Sequence, residues 1–367
     1  MKDGWEYKKF EDALEKVKYT KKLQTTEFLK EGSVPIISQE EDFISGYCDT
    51  PEDAFKIDTP VVIFGDHSRV LKYVDFDFVL GADGVKILKP KEDLNAKYLY
   101  HYLKWYNVPS MGYSRHYKFL KEIDLPIPPK ITQIEIVSEL DLLSGVIEKQ
   151  KAQLEELDKL AQSIFYDMFG GKDWDYQPLK EITLKMGSGA TPRGGNQSYK
   201  LSGISLIRSL NVHNNSFIYD ELAYIDEEQA RQLNNVIVES GDVLLNITGA
   251  SVARCCLVPD NVLPARVNQH VCIIRPMSKV NDVFLCHFLI SKDAQIDLLN
   301  LSRSNAATRE ALPKGLLETF LVPLPPLALQ QEFASKIEAI ESMKAKVRQS
   351  LKEAETLFNS RMDYFFN

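Results

Sequence analysis

The chain contains the same sequence pattern twice, and this internal repeat limits its possible folds more than any other feature. Leu125-Pro-Ile-Pro-Pro129 recurs as Val322-Pro-Leu-Pro-Pro326, and at the same spacing of 197 residues Gln133 matches Gln330. A chain of 367 residues is long enough for two hydrophobic cores. The repeat therefore predicts two related halves, each a globular block followed by a helix.

Shorter matches extend the repeat toward the start of each half. The segment from Val85 to Pro90 matches Val271 to Pro276 at a spacing of 186 residues, and Trp5-Glu-Tyr7 matches Trp174-Asp-Tyr176 at 169. The spacing grows along the chain, so the second block carries extra residues. Insertions of this kind are usually accommodated in loops.

Long segments almost free of Gly and Pro follow each Pro-Pro pair and predict two long helices. Their apolar residues follow the alternating spacing of a coiled-coil seam, broken by Gln150, Lys344 and Arg361. The first seam comprises Ile136, Leu140, Leu143, Ile147, Leu154, Leu157, Ala161, Ile164 and Met168, and the second Phe333, Ile337, Ile340, Val347, Leu351, Ala354, Phe358 and Phe365. A homodimeric coiled coil is one interpretation. The duplication favours an antiparallel pair within one chain, related by a pseudo-two-fold axis.

The blocks before the helices have a mixed α+β pattern. Four short runs rich in β-branched residues predict strands: Val61 to Phe64, Val85 to Leu88, Val243 to Leu245 and Val271 to Ile274. One short amphipathic helix is expected after each of Asn95 and Asn281. The predicted fold class is α+β, with two globular domains joined by two long antiparallel coiled-coil helices in an internal two-fold pseudo-repeat.

Composition excludes several classes of protein. No segment approaches the roughly 18 apolar residues that a membrane helix requires, and the amino-terminal residues lack the apolar core of a signal peptide, so a cytoplasmic location is expected. The five cysteines form no C-x-x-C pair and predict buried thiols rather than disulfides or a metal site.

Catalytic motifs are also missing from the sequence. The segment beginning at Gly189 resembles the start of a phosphate loop, but Gly195 and Asn196 stand where that motif requires Lys and then Ser or Thr. There is no Asp/Asn-Pro-Pro-aromatic motif of an amino-methyltransferase, and no catalytic triad has a recognisable context. We therefore expect the catalytic chemistry to reside in another protein.

Loops of both blocks are rich in side chains that can contact nucleic acid. Arg, Asn and Gln can form paired hydrogen bonds with base edges, whereas Lys, Ser and Thr contact phosphates readily. The candidates are His67, Ser68, Arg69, Arg115, His116 and Lys118 in the first block, and Thr191, Arg193, Arg208, Asn211, Asn246, Thr248, Ser251, Arg254, Asn268, Gln269, Arg303 and Asn305 in the second. For any single loop, a solvated surface turn is the competing interpretation.

Taken together, these residues resemble the DNA-specificity (S) subunits of type I restriction-modification systems. The resemblance covers nearly the whole chain and depends on the Trp-acidic-Tyr openings, Gly187-Ser-Gly-Ala-Thr-Pro192, Gly241-Asp-Val-Leu-Leu245, and the repeated Pro-Pro motif with its Gln and long helix. It implies a noncatalytic subunit that recognises a bipartite, asymmetric target with a fixed gap. The implied organisation is a target recognition domain over 1–122, a first conserved spacer helix over 123–170, a second recognition domain over 171–320 and a second spacer helix over 321–367.

The resemblance also implies partners and cofactors. The expected partners are double-stranded DNA, two methyltransferase (M) subunits and restriction/translocase (R) subunits, with no membrane. No cofactor is expected on this chain, whereas S-adenosylmethionine, ATP and Mg²⁺ are expected in the partner subunits. The net charge of −8 agrees with a subunit that binds DNA weakly alone and relies on basic partners for phosphate contacts.

Three other functions compete with this one. The chain could be the specificity subunit of a related system in which one polypeptide carries both methylase and nuclease, and the sequence does not separate this from the leading hypothesis. A duplicated coiled-coil adaptor without DNA binding is the alternative from another class, suggested by the acidic charge and the heptads. A free-standing nuclease is disfavoured because no acidic cluster with a nearby lysine stands out.

Overall fold

The computed structural model describes residues 4–81, 84–112, 114–303 and 310–367. The chain divides into a first unit, formed by Met1–Ala152 with Arg348–Asn367, and a second unit, formed by Gln153–Val347. Both crossings between the units fall inside a long helix, so each long helix begins in one unit and ends in the other.

The first globular block contains short strands and two helices before the first long helix. Its elements are β1 (Glu6–Lys9), β2 (Lys22–Leu23), β3 (Val34–Ile37), β4 (Gly46–Cys48), β5 (Val61–Gly65), β6 (Leu71–Val74), β7 (Val79–Gly81), β8 (Val85–Leu88), α1 (Ala96–Tyr106), α2 (Tyr117–Lys121), β9 (Asp124–Ile127) and α3 (Lys130–Phe169). The strands form sheets of order β2-β7-β3-β4 and β6-β5-β8, and β1 pairs with β9.

The second block repeats this plan with additional strands. Its elements are β10 (Tyr176–Pro178), α4 (Leu179–Ile182), β11 (Thr183–Ser188), β12 (Ile204–Ile207), β13 (Val212–His213), β14 (Ser216–Phe217), β15 (Ala223–Ile225), α5 (Glu227–Arg231), β16 (Ile237–Val238), β17 (Val243–Asn246), β18 (Cys255–Leu257), β19 (Ala265–Val267), β20 (Val271–Pro276), α6 (Asp282–Leu289), α7 (Lys292–Arg303), α8 (Lys314–Glu318), β21 (Leu321–Pro323) and α9 (Leu327–Phe366). The sheets have the orders β11-β20-β17-β18 and β15-β12-β19-β16, with pairs β10-β21 and β13-β14.

The four strands predicted from the β-rich runs are β5, β8, β17 and β20. Each block pairs its two strands antiparallel, β5 with β8 and β17 with β20. The predicted short helices are α1 and α6, which are capped by the side chains of Asn95 and Asn281. An asparagine at this position satisfies a backbone N–H that has no partner within the helix, so both blocks start the equivalent helix in the same way.

Gln133, in the first turn of α3, explains why the Pro-Pro motif is followed by Gln. Its side chain is buried, its Oε1 accepts from the Asn95 N–H at 2.7 Å, and its Nε2 donates to the carbonyls of Asp93 and Pro128, both at 2.8 Å. The side chain thus ties the start of α1 to the start of α3.

Gln330 makes the equivalent set of contacts in the second unit. Its Oε1 accepts from the Asn281 N–H at 2.8 Å, and its Nε2 donates to the carbonyls of Pro325 at 2.8 Å and Lys279 at 3.4 Å. The repeat found in the sequence is therefore also a repeat of buried hydrogen bonds.

The two long helices run antiparallel within each unit. In the first unit, the Arg361 guanidinium pairs with the Glu139 carboxylate, and Gln150 Nε2 donates to Ser350 Oγ at 2.6 Å. As residue numbers rise along α3 in these pairs, they fall along α9. Each helix has 40 residues, which corresponds to about 60 Å.

Lys344 is one of the charged residues that interrupt the predicted seam, and it lies in the second unit. Its side chain is only 3% exposed, and its Nζ donates to Asp158 at 2.6 Å and to Glu341 at 2.7 Å. The interruptions at Lys344 and Arg361 are therefore ion pairs across the helix pair, since each cation meets a carboxylate of α3.

All five cysteines are buried free thiols, as predicted. Among the described residues, the helices lack the combination of length and apolar character that crossing a membrane demands.

Candidate nucleic-acid interface

Two polar loops of the first unit, predicted separately from the sequence, meet at the buried Asp66. The Asp66 carbonyl accepts from the backbone N–H of His116 at 2.8 Å, and the Asp66 Oδ1 accepts from the Tyr117 N–H at 2.8 Å. His116 is also buried; its Nε2 accepts from the Met111 N–H at 3.2 Å, so the Nδ1 carries the proton donated to Asp66 O at 3.0 Å. His116 joins the loops rather than lining their surface.

The loop after β5 presents His67, Ser68 and Arg69, each held by a contact within the unit. The His67 N–H donates to Gln39 Oε1 at 3.3 Å, and Ser68 Oγ donates to the Gln39 carbonyl at 2.6 Å. The Arg69 guanidinium donates to the Val108 carbonyl at 2.9 Å. These contacts fix the backbone of the loop, and Ser68 is the exposed residue of the three.

Cationic side chains cluster on aromatic rings beside this loop. Lys86 and Lys121 lie 5.3 and 5.4 Å from the centre of the Tyr117 ring, and Lys118 lies 4.9 Å from the ring of the next residue. Burial raises the pKa of Tyr117 to about 12, so its ring stays neutral beneath the two ammonium groups. With the exposed Arg115, these lysines form a cationic surface that suits a phosphate backbone, and Lys121 also pairs with Glu11 at 2.7 Å.

In the second unit, several predicted residues line one cleft of about 620 Å³. Its lining residues are Ser209, Leu210, His213, Thr248, Gly249, Ala250, Ser251, Arg254, His270, Glu310 and Ala311. The Arg254 guanidinium lies 3.5 Å from His213 Nε2. The cleft therefore combines an arginine with hydroxyl, imidazole and carboxylate groups, which together can donate to and accept from base edges.

The two surfaces occupy equivalent positions in the repeat. In the first unit, Asp66 follows β5, donates its N–H to the carbonyl of the residue before β8, and accepts from the His116 N–H. In the second unit, Ile247 follows β17, donates to the carbonyl of the residue before β20, and accepts from the Leu312 N–H. The same backbone framework thus carries both loop clusters.

Four side chains form a continuous hydrogen-bonded chain at the rim of the cleft. Thr191 Oγ1 donates to Gln269 Oε1 at 2.5 Å, Gln269 Nε2 lies 3.1 Å from His270 Nε2, and Thr248 Oγ1 lies 2.5 Å from His270 Nδ1. Gly189 lets its segment pack closely against Val267, since a Cβ at Gly189 would lie 1.9 Å from the Val267 carbonyl oxygen. The Gly-Ser-Gly-Ala-Thr-Pro segment thereby places Thr191 beside Gln269.

Three predicted asparagines of the second unit lie inside the fold. Asn211 and Asn246 are fully buried and Asn268 is 4% exposed. Their side chains bond to backbone groups: Asn211 to the Ile218 carbonyl at 2.9 Å, Asn246 to the Ser209 carbonyl at 2.9 Å, and Asn268 to the His270 N–H at 3.0 Å. These asparagines position the loops from beneath.

The other predicted arginines lie outside the residues that line the cleft. The Arg208 guanidinium donates to the Glu221 carbonyl and lies 5.4 Å from the Tyr199 ring, and Arg303 pairs with Glu310 at 2.9 Å. Arg193 lies on an exposed turn. Asn305 falls outside the described residues. Contact of any candidate with DNA remains a prediction.

The structure adds residues that the sequence analysis did not list as candidates, notably Lys86 and His213. Lys86 is the one residue of β8 that is not buried. A lysine within an apolar strand segment is a signal that the sequence contains. His213 carried no local signal, because only the pairing of β13 with β14 and the approach of β18 bring it to Arg254.

Comparison with known proteins gives one consistent result. The family model of the type I restriction modification DNA specificity domain matches residues 2–159 and 171–355. The specificity subunit of the type I restriction enzyme EcoR124I/EcoR124II from Escherichia coli is 20% identical over 353 residues, covering 91% of this chain and 85% of that protein.

Solved structures have the same fold. The crystal structure of the S subunit of a type I restriction-modification system from M. genitalium superposes with a TM-score of 0.64 at 15% identity, covering 99% of this chain and 96% of that one. A chain from a structural study of complex assembly and conformational transition in the type I R-M system gives a TM-score of 0.55 at 14% identity, covering 100% and 98%.

Proposed function

The chain belongs to the family of type I restriction-modification DNA specificity subunits, and from this premise we propose that it recognises a bipartite DNA target. The two recognition surfaces are the loops that meet at Asp66 in the first unit and the cleft lined by Thr248 and Arg254 in the second. The proposal depends on the equivalence of these two surfaces. One surface follows β5 and the other follows the equivalent strand β17, and equivalent backbone hydrogen bonds hold both. Two equivalent surfaces with different side chains suit two half-sites of different sequence, separated by a gap.

The chain contributes recognition, and catalysis belongs to its partners in the complex. We assign methyl transfer to two M subunits, which would hold S-adenosylmethionine, and cleavage to R subunits, which would hold ATP and Mg²⁺. The acidic character of 121–170, with ten acidic against five basic residues, supports a partner that supplies phosphate contacts.

A pair of equivalent grooves supports two copies of one partner. In the first unit, Lys97, His101 and Asp141 line a groove of about 790 Å³ between α1, α3 and the end of α9. In the second unit, a groove of about 450 Å³ lies between α6 and α9, where Val283, His287 and Glu338 occupy the matching repeat positions. The shared histidine and carboxylate positions, His101 with Asp141 and His287 with Glu338, support contacts with two copies of one M subunit.

The test is an exchange of residues 171–320 for the corresponding block of a family member with a different target. The hybrid and the parent are each combined with the same methyltransferase subunit, and the methylated motif is mapped by sequencing. We expect one half of the motif to change while the other half and the gap stay the same. A hybrid that changes both halves together would contradict two separate recognition surfaces, and a parent complex without sequence preference would favour the adaptor.

A further inference from the structure

The hydrogen bonds of the chain Thr191–Gln269–His270–Thr248, at the cleft of the second unit, all run in one direction from donor to acceptor. This direction determines which hydrogen-bonding group Thr248 presents to a ligand. Gln269 is exposed, while Thr191, Thr248 and His270 are half-buried, so the chain lies at the surface of the unit. Thr248 and His270 both line the cleft. A base edge entering the cleft would therefore meet the Thr248 hydroxyl.

The direction follows from the donors and acceptors along the chain. Thr191 donates to Gln269 Oε1, which leaves the Gln269 amide nitrogen facing His270 Nε2. An amide nitrogen can only donate, so His270 Nε2 accepts and the single proton of the neutral imidazole lies on Nδ1. That Nδ1–H donates to Thr248 Oγ1, so the Thr248 hydroxyl keeps its own hydrogen, together with one lone pair, for the cleft.

We propose that the Thr248 hydroxyl is a base-specific hydrogen-bond donor, with Gln269 and His270 as the positioning residues that set its direction. This inference depends on the proposed function and goes beyond it by assigning chemistry to one base pair. A donor in the major groove selects guanine O6 or N7, adenine N7 or thymine O4. The base contacted by Thr248 should therefore present an acceptor at that point.

A single substitution should reverse the direction. In Gln269→Glu the carboxylate accepts from both Thr191 and His270, because it has no hydrogen to donate. The assay is run about two pH units above the ordinary histidine pKa of about 6.5, so that the new carboxylate does not leave His270 doubly protonated. The single imidazole proton then lies on Nε2, Nδ1 accepts from the Thr248 hydroxyl, and Thr248 offers only lone pairs to the cleft. The preferred partner becomes an amino group, adenine N6 or cytosine N4.

The experiment compares the wild-type chain with four variants, each assembled with the same methyltransferase subunit and given DNA with a randomised half-site. Gln269→Glu tests the reversal, Thr248→Val removes the hydroxyl, and Thr248→Ser keeps it. Gln232→Glu is the matched control, since Gln232 is exposed in the same unit but does not line the cleft. Sequencing of the methylated molecules gives the base preference at every position.

We expect Gln269→Glu to shift the preference at one base pair from an acceptor to an amino group by about three- to tenfold, the ratio that one hydrogen bond supports. Thr248→Val should lose the preference at that same base pair, while Thr248→Ser and Gln232→Glu should keep it. The inference is overturned if Gln269→Glu keeps the wild-type preference, or if it and Thr248→Val affect different base pairs. A wild-type complex without any sequence preference would instead contradict the proposed function. Because Gln269 is exposed, its variant remains informative even where Thr248→Val disturbs folding.

Discussion

Removal of the buried Gln133 side chain should destabilise the first unit locally and measurably. Gln133→Ala deletes three hydrogen bonds and leaves the Asn95 N–H and the carbonyls of Asp93 and Pro128 without their partner. Each neutral bond contributes about 1 kcal/mol, so we expect a loss of about 3 kcal/mol in the free energy of unfolding. The equivalent Gln330→Ala should cost less, about 2 kcal/mol, because its contact with the Lys279 carbonyl is stretched to 3.4 Å.

Native-state hydrogen exchange read by mass spectrometry can assign each loss to its own unit. Amides of α1 should exchange faster in Gln133→Ala, and amides of α6 should exchange faster in Gln330→Ala. Gln331→Ala is the matched control, since it removes the same atoms from an exposed neighbour, and it should change stability by less than about 0.5 kcal/mol. If Gln133→Ala and Gln331→Ala were equally mild, the argument that the repeated Gln clamps each unit would be wrong.

Three further outcomes are expected. Arg254→Ala should lower the binding free energy by about 1 to 3 kcal/mol for one preferred base pair, whereas Lys118→Ala should weaken binding to all sequences and lower the slope of affinity against salt by about one. Both are measured by DNA titration of the methyltransferase complex. Equal effects on sequence preference would contradict the two roles. Insertion of seven residues after Ala152 and another seven after Val347 keeps the heptad phase and lengthens the helix pair by about 10 Å. The gap between the half-sites in the methylated DNA motif should then lengthen by about three base pairs, with unchanged half-sites. An unaltered gap in an active variant would refute the spacer role. Burial, and secondarily the nearby Lys344, lowers the pKa of His287 to about 4. The unfolded chain binds this proton below a pH of about 6.5, so the free energy of unfolding should fall as the pH drops from about 6.5 to 4. Chemical denaturation at each pH should show a less steep fall for His287→Gln.

Sequence reasoning succeeded where one residue type repeats at a fixed spacing for a physical reason. The seams, the capping asparagines and Gln133 with Gln330 are all constrained by burial or by unpaired backbone groups, and such constraints appear directly in the spacing. Even the breaks in the seam at Lys344 and Arg361 mark ion pairs in the structure.

The candidate site was harder to predict because a side chain's type does not reveal whether it is buried. Asn211 and Asn246 have the chemistry that base recognition needs, yet their amides bond to carbonyls within the fold. His116 was listed for the same reason and instead joins two loops. Conversely, His213 reaches Arg254 only through contacts between strands distant in sequence, which local patterns do not contain.

Under the proposed function, the distribution of repeated and unrepeated residues would allow such a chain to acquire new targets. The hydrogen bonds that Asp66 and Ile247 have in common come from backbone groups, so these bonds require no particular side chain. His116 and the buried asparagines add side-chain bonds that differ between the units. The first unit uses this framework for lysines on aromatic rings, and the second uses it for an uncharged hydrogen-bonded chain beside one arginine. Gln269 is exposed and takes no part in these shared backbone bonds, so under the proposed function its substitution should change base preference with little cost in stability. Changes at Gln133 or Gln330 alter stability first, since those side chains are themselves part of the framework.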